Sequence, residues 1–443
     1  LWINFSGRDS EKFQEGICEK EWDKMELRNY TLGSLKYFAR CDSPNEFAIW
    51  RDSQIDNALQ KGLSSAHNDI AKILYMLFEN QYICAGIEKN IWYEFKGHRW
   101  QRSPEGIDLR MHLSTTLVDK YFKLAAQYST MAQNEPDEDK KQMYKSKVLV
   151  VCKLIDKLKN SSFKNSVMRE AIEYFFDRHF VDRMDENPNL LCCENGVFDC
   201  ETKSFRDGRP SDYCTKSTGI YYHEFDDDDP KVIELEQILR KIFVKESLFK
   251  FFKQTTSDII KGGNRHKIFS VWNGMGNNGK SVCADLLERA FGDYFYTPPT
   301  SLLTGKQSGS NQATAELVPC KGARIVVISE TDNSDILNSG TMKKLTGGDP
   351  FYCRGLFKEP IKIIPHFKLI LHCNKLPNVS AQDIASWNRI RVLLFESTFI
   401  KETNSFKKLD ENTFLMDRSL KDKIPGLAQV FLWWLIKQYE FFG

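Results

Sequence analysis

One run of eight residues, Gly274-Met275-Gly276-Asn277-Asn278-Gly279-Lys280-Ser281, constrains this 443-residue chain more than any other stretch. Two glycines with four residues between them, followed by Lys and then Ser, form the phosphate-loop pattern. The preceding Lys267–Trp272 predicts a short buried strand, and the following Ser281–Phe291 predicts an amphipathic helix that ends at Gly292. The run therefore predicts a strand, loop and helix that bind a nucleotide. The alternative is a surface turn rich in Gly and Asn.

The phosphate-loop pattern assigns roles to its residues. Backbone N–H groups from Gly274 to Val282 are expected to point at phosphate oxygens, helped by the dipole of the helix that follows. Lys280 is expected on the β- and γ-phosphates, and the Ser281 hydroxyl on Mg²⁺. The predicted ligands are therefore a nucleoside triphosphate and Mg²⁺.

Composition sets broad limits on the class of protein. Hydrophobic residues make up 41% and charged residues 28%, which is ordinary for a soluble globular protein of two to four domains. The net charge of +2 does not signal a nucleic-acid partner, so any basic surface must be local. No apolar run reaches the length of a membrane span. Because the chain starts at Leu1 without Met, we expect it to be a piece of a longer protein.

The cysteines and one acidic run are candidate metal ligands with plainer explanations. The densest group is Cys192, Cys193, Cys200 and Cys214, whose spacing matches no common zinc framework. Buried free thiols in a reducing, intracellular compartment are the favoured interpretation. The four-Asp run 226–229 precedes Pro230, and we expect it at the start of a helix, where negative charge is favourable.

Two strands predicted downstream each end in a polar side chain. Arg324–Ser329 is a β-branched run that ends at Glu330, an acid that could hold Mg²⁺ or orient the attacking water. Phe367–Cys373 ends at Asn374, whose amide could bind the γ-phosphate or that water. A surface acid and an ordinary turn Asn are the alternatives.

A basic segment and an arginine complete the set of candidate site residues. Between the two strands, the sequence predicts a hairpin with basic side chains that could contact a phosphate backbone, unless it is an ordinary solvated hairpin. Its basic side chains are Arg354, Lys358 and Lys362, and Lys343 and Lys344 lie just before it. Arg389 could act as an arginine finger on the ATP of a neighbouring subunit.

The pieces, taken in order, resemble the superfamily 3 helicases, in the branch of the poxvirus-type primase-helicases of nucleo-cytoplasmic large DNA viruses. The most specific part of the resemblance is Lys343, Leu345-Thr346-Gly347-Gly348-Asp349 and Arg354. Upstream, Asn195-Gly196-Val197-Phe198-Asp199 and Thr215–Tyr221 resemble the small domain that precedes the ATPase in that family. The similarity is strongest from about 190 to 397 and faint from 56 to 188.

The resemblance implies an α/β core of the AAA+ type, a parallel sheet with flanking helices, after a mainly helical region and a small mixed domain. The implied regions are a connecting tail (1–55), a helical region that could form a collar (56–188), a small mixed domain (189–262), the ATPase core (263–400) and a C-terminal helical segment (401–443). It also implies ATP and Mg²⁺ as ligands, with Lys280, Glu330, Asn374 and Arg389 as catalytic residues. The segment from Lys343 to Lys362, which includes Lys344, is implied as the loop that faces DNA in the central channel of a ring. Two departures from the family pattern leave open whether Glu330 binds metal or polarises water, and whether Arg389 or Arg391 is the finger.

The implied function is an ATP-driven DNA helicase of viral genome replication, acting as a ring, most simply a hexamer, on single-stranded and forked DNA. The implied location is the host cytoplasm, at viral replication sites, with a primase domain on the same longer chain. The alternatives are a ring ATPase that remodels or packages nucleic acid without unwinding it, and an initiator or scaffold whose nucleotide controls assembly. No paired-carboxylate motif favours primer synthesis by this chain itself.

Overall fold

The computed structural model describes residues 16, 20, 32–304, 314–329, 337–355, 360–377, 383–401 and 410–442. The chain divides into two compact units. The first comprises the described part of Leu1–Leu77 together with Arg110–Tyr174, and the second comprises Phe78–Leu109 and the described residues from Phe175 onward. None of the described helices is long and apolar enough to cross a membrane.

The first unit is helical. Its helices are α1 (Leu32–Asp42), α2 (Pro44–Lys61), α3 (His67–Phe78), α4 (Ile107–Ser114), α5 (Thr116–Asn134), α6 (Glu138–Lys159) and α7 (Ser161–Phe175), and a short 3₁₀ turn lies at Gly62–Ser64. Three of them, α3, α4 and α7, extend one or more residues into the second unit. α6 begins where the Asp137 carboxylate accepts hydrogen bonds from the N–H groups of Asp139 and Lys140, at 2.9 and 3.3 Å. Residues 135–137 form the short connection between α5 and α6.

The second unit opens with two small antiparallel sheets. They are formed by β1 (Tyr82–Gly86), β2 (Ile91–Lys96) and β3 (Arg99–Pro104), and by β4 (Leu190–Cys193), β5 (Gly196–Asp199) and β6 (Ser204–Arg206). β2 and β3 form a hairpin that turns at Gly97-His98, and β4 and β5 form one that turns at Glu194-Asn195. The apolar spacing from Asp69 to Tyr82 predicts a helix over the whole stretch, and this prediction is wrong at its end. The helix ends at Phe78, and Tyr82 pairs with Glu94 in the first sheet.

The remaining elements of the second unit build its main core. They are α8 (Phe180–Arg183), α9 (Pro230–Ile242), α10 (Glu246–Ser257), β7 (Phe269–Asn273), α11 (Lys280–Phe291), β8 (Phe295–Tyr296), α12 (Ser301–Thr304), β9 (Ile325–Ser329), α13 (Ser339–Thr346), β10 (Phe351–Cys353), β11 (Ile361–Ile363), β12 (Lys368–Cys373), α14 (Ile384–Trp387), β13 (Ile390–Leu394), β14 (Thr398–Ile400), β15 (Thr413–Leu415) and α15 (Leu420–Phe442). Short 3₁₀ turns lie at Pro210–Asp212, Gly292–Tyr294 and Ala315–Cys320.

A five-stranded parallel sheet in the order β13-β7-β12-β9-β8 forms the centre of this unit. Side chains that alternate along its strands enter two buried clusters, one on each face. One cluster contains residues of α9, α10, α11 and α15, and the other contains residues of α13 and the β10–β11 hairpin. The predicted α/β core, a parallel sheet between helices, is therefore confirmed.

The candidate metal ligands occupy ordinary structural positions. The Asp229 carboxylate accepts the N–H of Lys231 at 2.8 Å and begins α9, as the sequence predicts for the four-Asp run. Cys192, Cys193, Cys200 and Cys214 are buried, and burial raises the pKa of the Cys193 thiol to about 12.

Candidate functional site

The phosphate-loop residues lie where the sequence predicts, at the carboxyl end of β7 and the start of α11. β7 is an inner strand, with β13 on one side and β12 on the other. After β7 the chain forms the outermost strand β8 and then returns through β9 and β12 to β13 on the other side of β7. The loop therefore lies where the strand order changes direction. Crevices at such switch points are where open parallel sheets bind ligands.

Two glycines of the loop are required by the space around them. A Cβ on Gly279, whose φ is +90°, would lie 2.6 Å from Cγ1 of Ile242. A Cβ on Gly274 would lie 2.7 Å from the carbonyl oxygen of Phe395. Because Ile242 and Phe395 of the same chain come this close, only glycine fits at these two positions of the loop.

Lys280 is buried and its ammonium is surrounded by oxygens of the site. Its Nζ donates to the Gly274 carbonyl, to Oδ1 of Asn278 at 3.2 Å and to Oδ1 of Asn374 at 3.4 Å. Asn374 directly follows β12, the neighbour of β7. The structure therefore brings together two of the predicted catalytic residues, although they are 94 positions apart in the chain.

These residues fit a triphosphate and its Mg²⁺ by the chemistry of their donors. The cradle offers accessible backbone around Gly276 and Asn277, both at positive φ, and a buried lysine ammonium. The Ser281 hydroxyl lies exposed in the first turn of α11, where it could ligate a hard cation. The side chain of Met275 is 84% exposed and contributes only its backbone to the loop.

The other candidate residues are placed differently. Glu330 lies outside the described residues, directly after Ser329 at the carboxyl end of β9. The phosphate loop lies where the carboxyl ends of the parallel strands meet, which we call the carboxyl edge of the sheet. Arg389 lies at the other end of the strands, the amino edge, because Ile390 pairs with Phe269 at the amino end of β7. The length of β7 separates Arg389 from the loop, roughly 16 Å at about 3.3 Å per residue. That distance exceeds the reach of an arginine side chain.

Arg389 and Arg391 both bond locally. Nη1 of Arg389 donates to the Ala385 carbonyl at 2.8 Å, and its Nε is buried without a hydrogen-bond partner among the residues that the structure describes. Nη1 of Arg391 donates to the carbonyls of Asn388 and Ile390, at 3.0 and 2.9 Å. Neither arginine contacts the phosphate loop of its own chain.

The predicted basic hairpin is confirmed as the antiparallel pair β10–β11. Lys362 is exposed on it and is paired in register with Tyr352, which is 69% exposed; Arg354 is exposed just after β10. Lys358 lies outside the described residues. One face of the hairpin is therefore open to a partner.

The two lysines of α13 are engaged within the chain. Nζ of Lys343 donates to Oδ1 of Asp383 at 2.7 Å, and this bond holds the pKa of the Asp383 carboxyl well below its usual range. Nζ of Lys344 lies 4.7 Å from the centre of the Phe351 ring. Both contacts must loosen if these lysines are to bind DNA.

Sequence reasoning missed His372, which lies beside the loop. Its ring stacks on Trp272, with centroids 5.0 Å apart, and its Nε2 is buried without a hydrogen-bond partner among the described residues. Burial, with a smaller contribution from the charge of Lys280, lowers the pKa of His372 to about 4. The alternation of side chains along a strand could have found His372, because it places positions 370, 372 and 374 on the same face of β12 and its continuation.

A cavity of about 640 Å³ opens over the loop. Its floor includes residues 276–282, Ser329 and the His372-Cys373-Asn374 end of β12. Other parts of its lining come from α9, from Phe399 and from residues between Leu415 and Ile424, which the sequence pattern did not connect with the site. A volume in this range suits a nucleotide-sized ligand.

Comparison with known proteins places the chain in a family. Residues 71–244 match the family described as "D5 N terminal like", and residues 272–389 match a "Family of unknown function (DUF5906)". Among solved structures, the apo C-terminal region of NrS-1 resembles half of the chain, with 15% identity and a TM-score of 0.36 over 50% of each chain. A likeness at that level adds nothing to the fold described above.

The relatives come from large DNA viruses. Over 99% of its length the chain is 37% identical to a "Putative helicase" of Acanthamoeba polyphaga mimivirus, of which it covers 46%, and 30% identical to one of Invertebrate iridescent virus 6, of which it covers 51%. It is 23% identical over 98% of its length to a "Putative primase" of African swine fever virus, covering 49% of that protein. The chain thus spans about half the length of the curated relatives it matches. It belongs to the primase-helicase family of nucleo-cytoplasmic large DNA viruses.

Proposed function

We propose that this chain is the motor of an ATP-driven DNA helicase of viral genome replication, with a core of the AAA+ type found in superfamily 3. The observation that carries the proposal is the 3.4 Å contact between Lys280 Nζ and Asn374 Oδ1, at the carboxyl ends of adjacent parallel strands. A buried cation beside a polar amide can bind a γ-phosphate and report its loss. The names of the viral relatives supply the replication context.

ATP is the proposed substrate, and Mg²⁺ is the proposed metal. Backbone N–H groups of the loop and the Lys280 ammonium would hold the phosphates, and the Ser281 hydroxyl would hold the metal, which neutralises phosphate charge when bound. Asn374 would orient the γ-phosphate or the attacking water. Glu330, placed by sequence directly after β9, is the proposed acid for metal binding or water activation.

A neighbouring chain is proposed to supply Arg389. Because this arginine lies at the amino edge of the sheet, it cannot complete the site of its own chain. A head-to-tail ring, most simply a hexamer, presents the amino edge of one subunit to the carboxyl edge of the next. Arg389 would then stabilise negative charge on the phosphate being transferred, with Arg391 as the alternative.

Single-stranded DNA is the proposed partner of the β10–β11 hairpin. Lys362 and Arg354 are exposed there, and Lys343, Lys344 and Lys358 are the further candidates. Contacts of this kind go mainly to the phosphate backbone, so binding should tolerate sequence and weaken with salt. The proposed setting is a viral replication site in the host cytoplasm, with primase on the same longer protein.

A forked DNA substrate tests the proposal. With ATP and Mg²⁺, the chain should release one strand, and Lys280→Ala should release none. Hydrolysis that DNA stimulates without strand release would instead favour a remodelling or packaging ATPase. Nucleotide-dependent assembly with negligible turnover would favour an initiator or scaffold.

A further inference from the structure

The cavity over the phosphate loop has two chemically different sides. The loop side is polar and carries Lys280, Ser281 and Asn374. The rest of the lining includes apolar side chains, which we call the apolar wall: Ile238, Ile242, Phe399, Leu415, Leu420 and Ile424. The charged residues Lys241, Asp417, Arg418 and Lys421 lie among them. The residues of the apolar wall come from α9, β14, β15 and α15, which lie outside the strands that carry the phosphate-binding residues.

The apolar wall is joined directly to the loop. The N–H of Phe399 donates to the carbonyl oxygen of Asn277 at 2.8 Å. Ile242 lies so close to Gly279 that no side chain fits between them. The Ser397 hydroxyl donates to the carbonyl of Ile242 at 3.0 Å and so ties the chain before β14 to the end of α9. These hydrogen bonds and the close packing of Ile242 on Gly279 therefore hold the apolar wall against the loop.

The two helices of the apolar wall also bind one another. Nζ of Lys423 lies 3.1 Å from Oε1 of Glu234, and Nε1 of Trp434 donates to Oε1 of Glu236 at 3.3 Å. Farther along, Val430–Ile436 is buried in the core shared with α11, the helix that follows the phosphate loop. The C-terminal helix is thus built into the unit that carries the loop.

We propose that the apolar wall is the nucleobase pocket of the site, with the Phe399 ring as its aromatic contact and Leu415 covering the other side of the base. This inference rests on the proposed nucleotide-binding function. A nucleoside triphosphate has one highly charged end and one flat, largely apolar end, which matches the two sides of the cavity. Leu415 is 57% exposed although it lines the cavity, so a base placed there would remove apolar surface from water.

The pocket gives α9 and the C-terminal segment a role in nucleotide recognition. Phosphate contacts come from the loop, whereas base contacts come from residues about 40 positions before it and more than 100 after it. Discrimination between a nucleotide and a bare polyphosphate then depends on Phe399 and Leu415.

Binding of two ligands separates the two sides of the cavity. Dissociation constants for ATP and for inorganic tripolyphosphate, both with Mg²⁺, are measured on the unaltered chain, Phe399→Ala, Leu415→Ser and Lys280→Ala. Phe399→Ala should weaken ATP binding about tenfold, as expected for loss of a base–aromatic contact, and leave tripolyphosphate binding unchanged. Leu415→Ser should act in the same direction and less strongly, and because Leu415 is exposed this variant should fold. Phe441→Ala, at an 80% exposed position of α15 outside the cavity lining, is the matched control and should change neither constant.

The outcomes distinguish the pocket from the function on which it rests. If Lys280→Ala loses both ligands while Phe399→Ala and Leu415→Ser bind ATP like the unaltered chain, the nucleobase pocket is refuted and the phosphate site stands. If Phe399→Ala weakens ATP and tripolyphosphate equally, the effect is on the loop, and the pocket is again refuted. If the unaltered chain binds neither ligand, the proposed function fails and the pocket fails with it.

Discussion

The two edges of the central sheet differ in how far their polar side chains are satisfied within one chain. At the carboxyl edge, Lys280 is buried and bonded to Gly274, Asn278 and Asn374. At the amino edge, Arg389 has one local bond to a carbonyl and a buried Nε without a partner among the described residues. The cation at the first edge lies among oxygens of the loop and its neighbouring strand, whereas the cation at the second lies a strand's length from the loop of its own chain.

This difference suggests that one chain can hold the loop residues of a site, whereas its arginine would have to come from a neighbouring chain. The phosphate-loop motif is built from consecutive residues and one neighbouring strand, so a single chain contains all of it. A cation that enters the site only at the moment of hydrolysis is more useful when it belongs to a neighbour, because hydrolysis then depends on the arrangement of subunits. Each prediction below tests one side of the comparison.

The largest effect is expected at the carboxyl edge. Lys280→Ala should lower ATP hydrolysis more than about 10³-fold, because the variant loses both a phosphate contact and the cation that stabilises developing charge. Phosphate release measures this, with Lys250→Ala, an exposed lysine of α10, as the control. Substantial turnover by a folded Lys280→Ala protein would mean that the loop is not the catalytic site.

At the amino edge, Arg389→Ala should lower hydrolysis by about 10³-fold and leave ATP binding intact, since an arginine finger acts on the transition state. Steady-state hydrolysis and equilibrium ATP binding give the two readouts. Arg391→Ala should have the smaller effect on hydrolysis. The reverse order would assign the finger to Arg391.

A third effect concerns how the carboxyl edge responds to acid. The pKa of His372 is about 4 in the folded protein, against about 6.5 when unfolded, so the unfolded chain takes up the proton first as the pH falls. Stability from the neutral ring is fully present above pH 6.5 and is lost as the pH falls towards 4. Between pH 7 and pH 5 the loss should be on the order of 2 kcal/mol.

Urea unfolding of the unaltered chain and of His372→Phe measures this loss. The variant keeps an aromatic ring against Trp272 and has nothing to titrate at this position. Its free energy of unfolding should therefore change less between the two pH values. Equal changes in both proteins would show that His372 is not held neutral by the site.

The smallest effect is expected on the β10–β11 hairpin. Lys362→Ala should weaken binding of single-stranded DNA about threefold and reduce the slope of log affinity against log salt by about 0.7, the value for one phosphate contact. Titration of labelled DNA at several salt concentrations measures both quantities. Lys231→Ala, an exposed lysine at the start of α9, is the control. An unchanged slope would remove Lys362 from the DNA-binding surface.

Local patterns were enough to predict much of the core. The phosphate loop, the strands that end at Ser329 and Cys373, the basic hairpin and the start of α9 at Asp229 are each encoded within about a dozen consecutive residues. Their periodicity and turn residues depend on short-range physics, which a single sequence reveals. The contact between Lys280 and Asn374 follows from this, because carboxyl ends of adjacent parallel strands meet at one edge of the sheet.

The rest of the site depends on contacts between distant segments. Nothing local in Ile242, Phe399 or Leu415 distinguishes a cavity wall from an ordinary core position. The sequence shows His372 only as one more residue of a buried strand. The structure shows its Nε2 beside the loop, with no hydrogen-bond partner among the residues described. The end of α3 was misplaced for a related reason, since Tyr82 has a helical sequence context and is taken into a strand by its pairing with Glu94.

Mixing two inactive proteins tests the central claim most directly. Arg389→Ala subunits keep an intact loop, and Lys280→Ala subunits keep an intact arginine. In rings assembled from equal amounts, about a quarter of the interfaces join an intact loop to an intact arginine, as head-to-tail contacts require. Hydrolysis should therefore recover to a measurable fraction of the unaltered rate, well above the sum of the two proteins assayed alone. A rate equal to that sum, in rings shown to contain both proteins, would contradict a site shared between neighbouring chains.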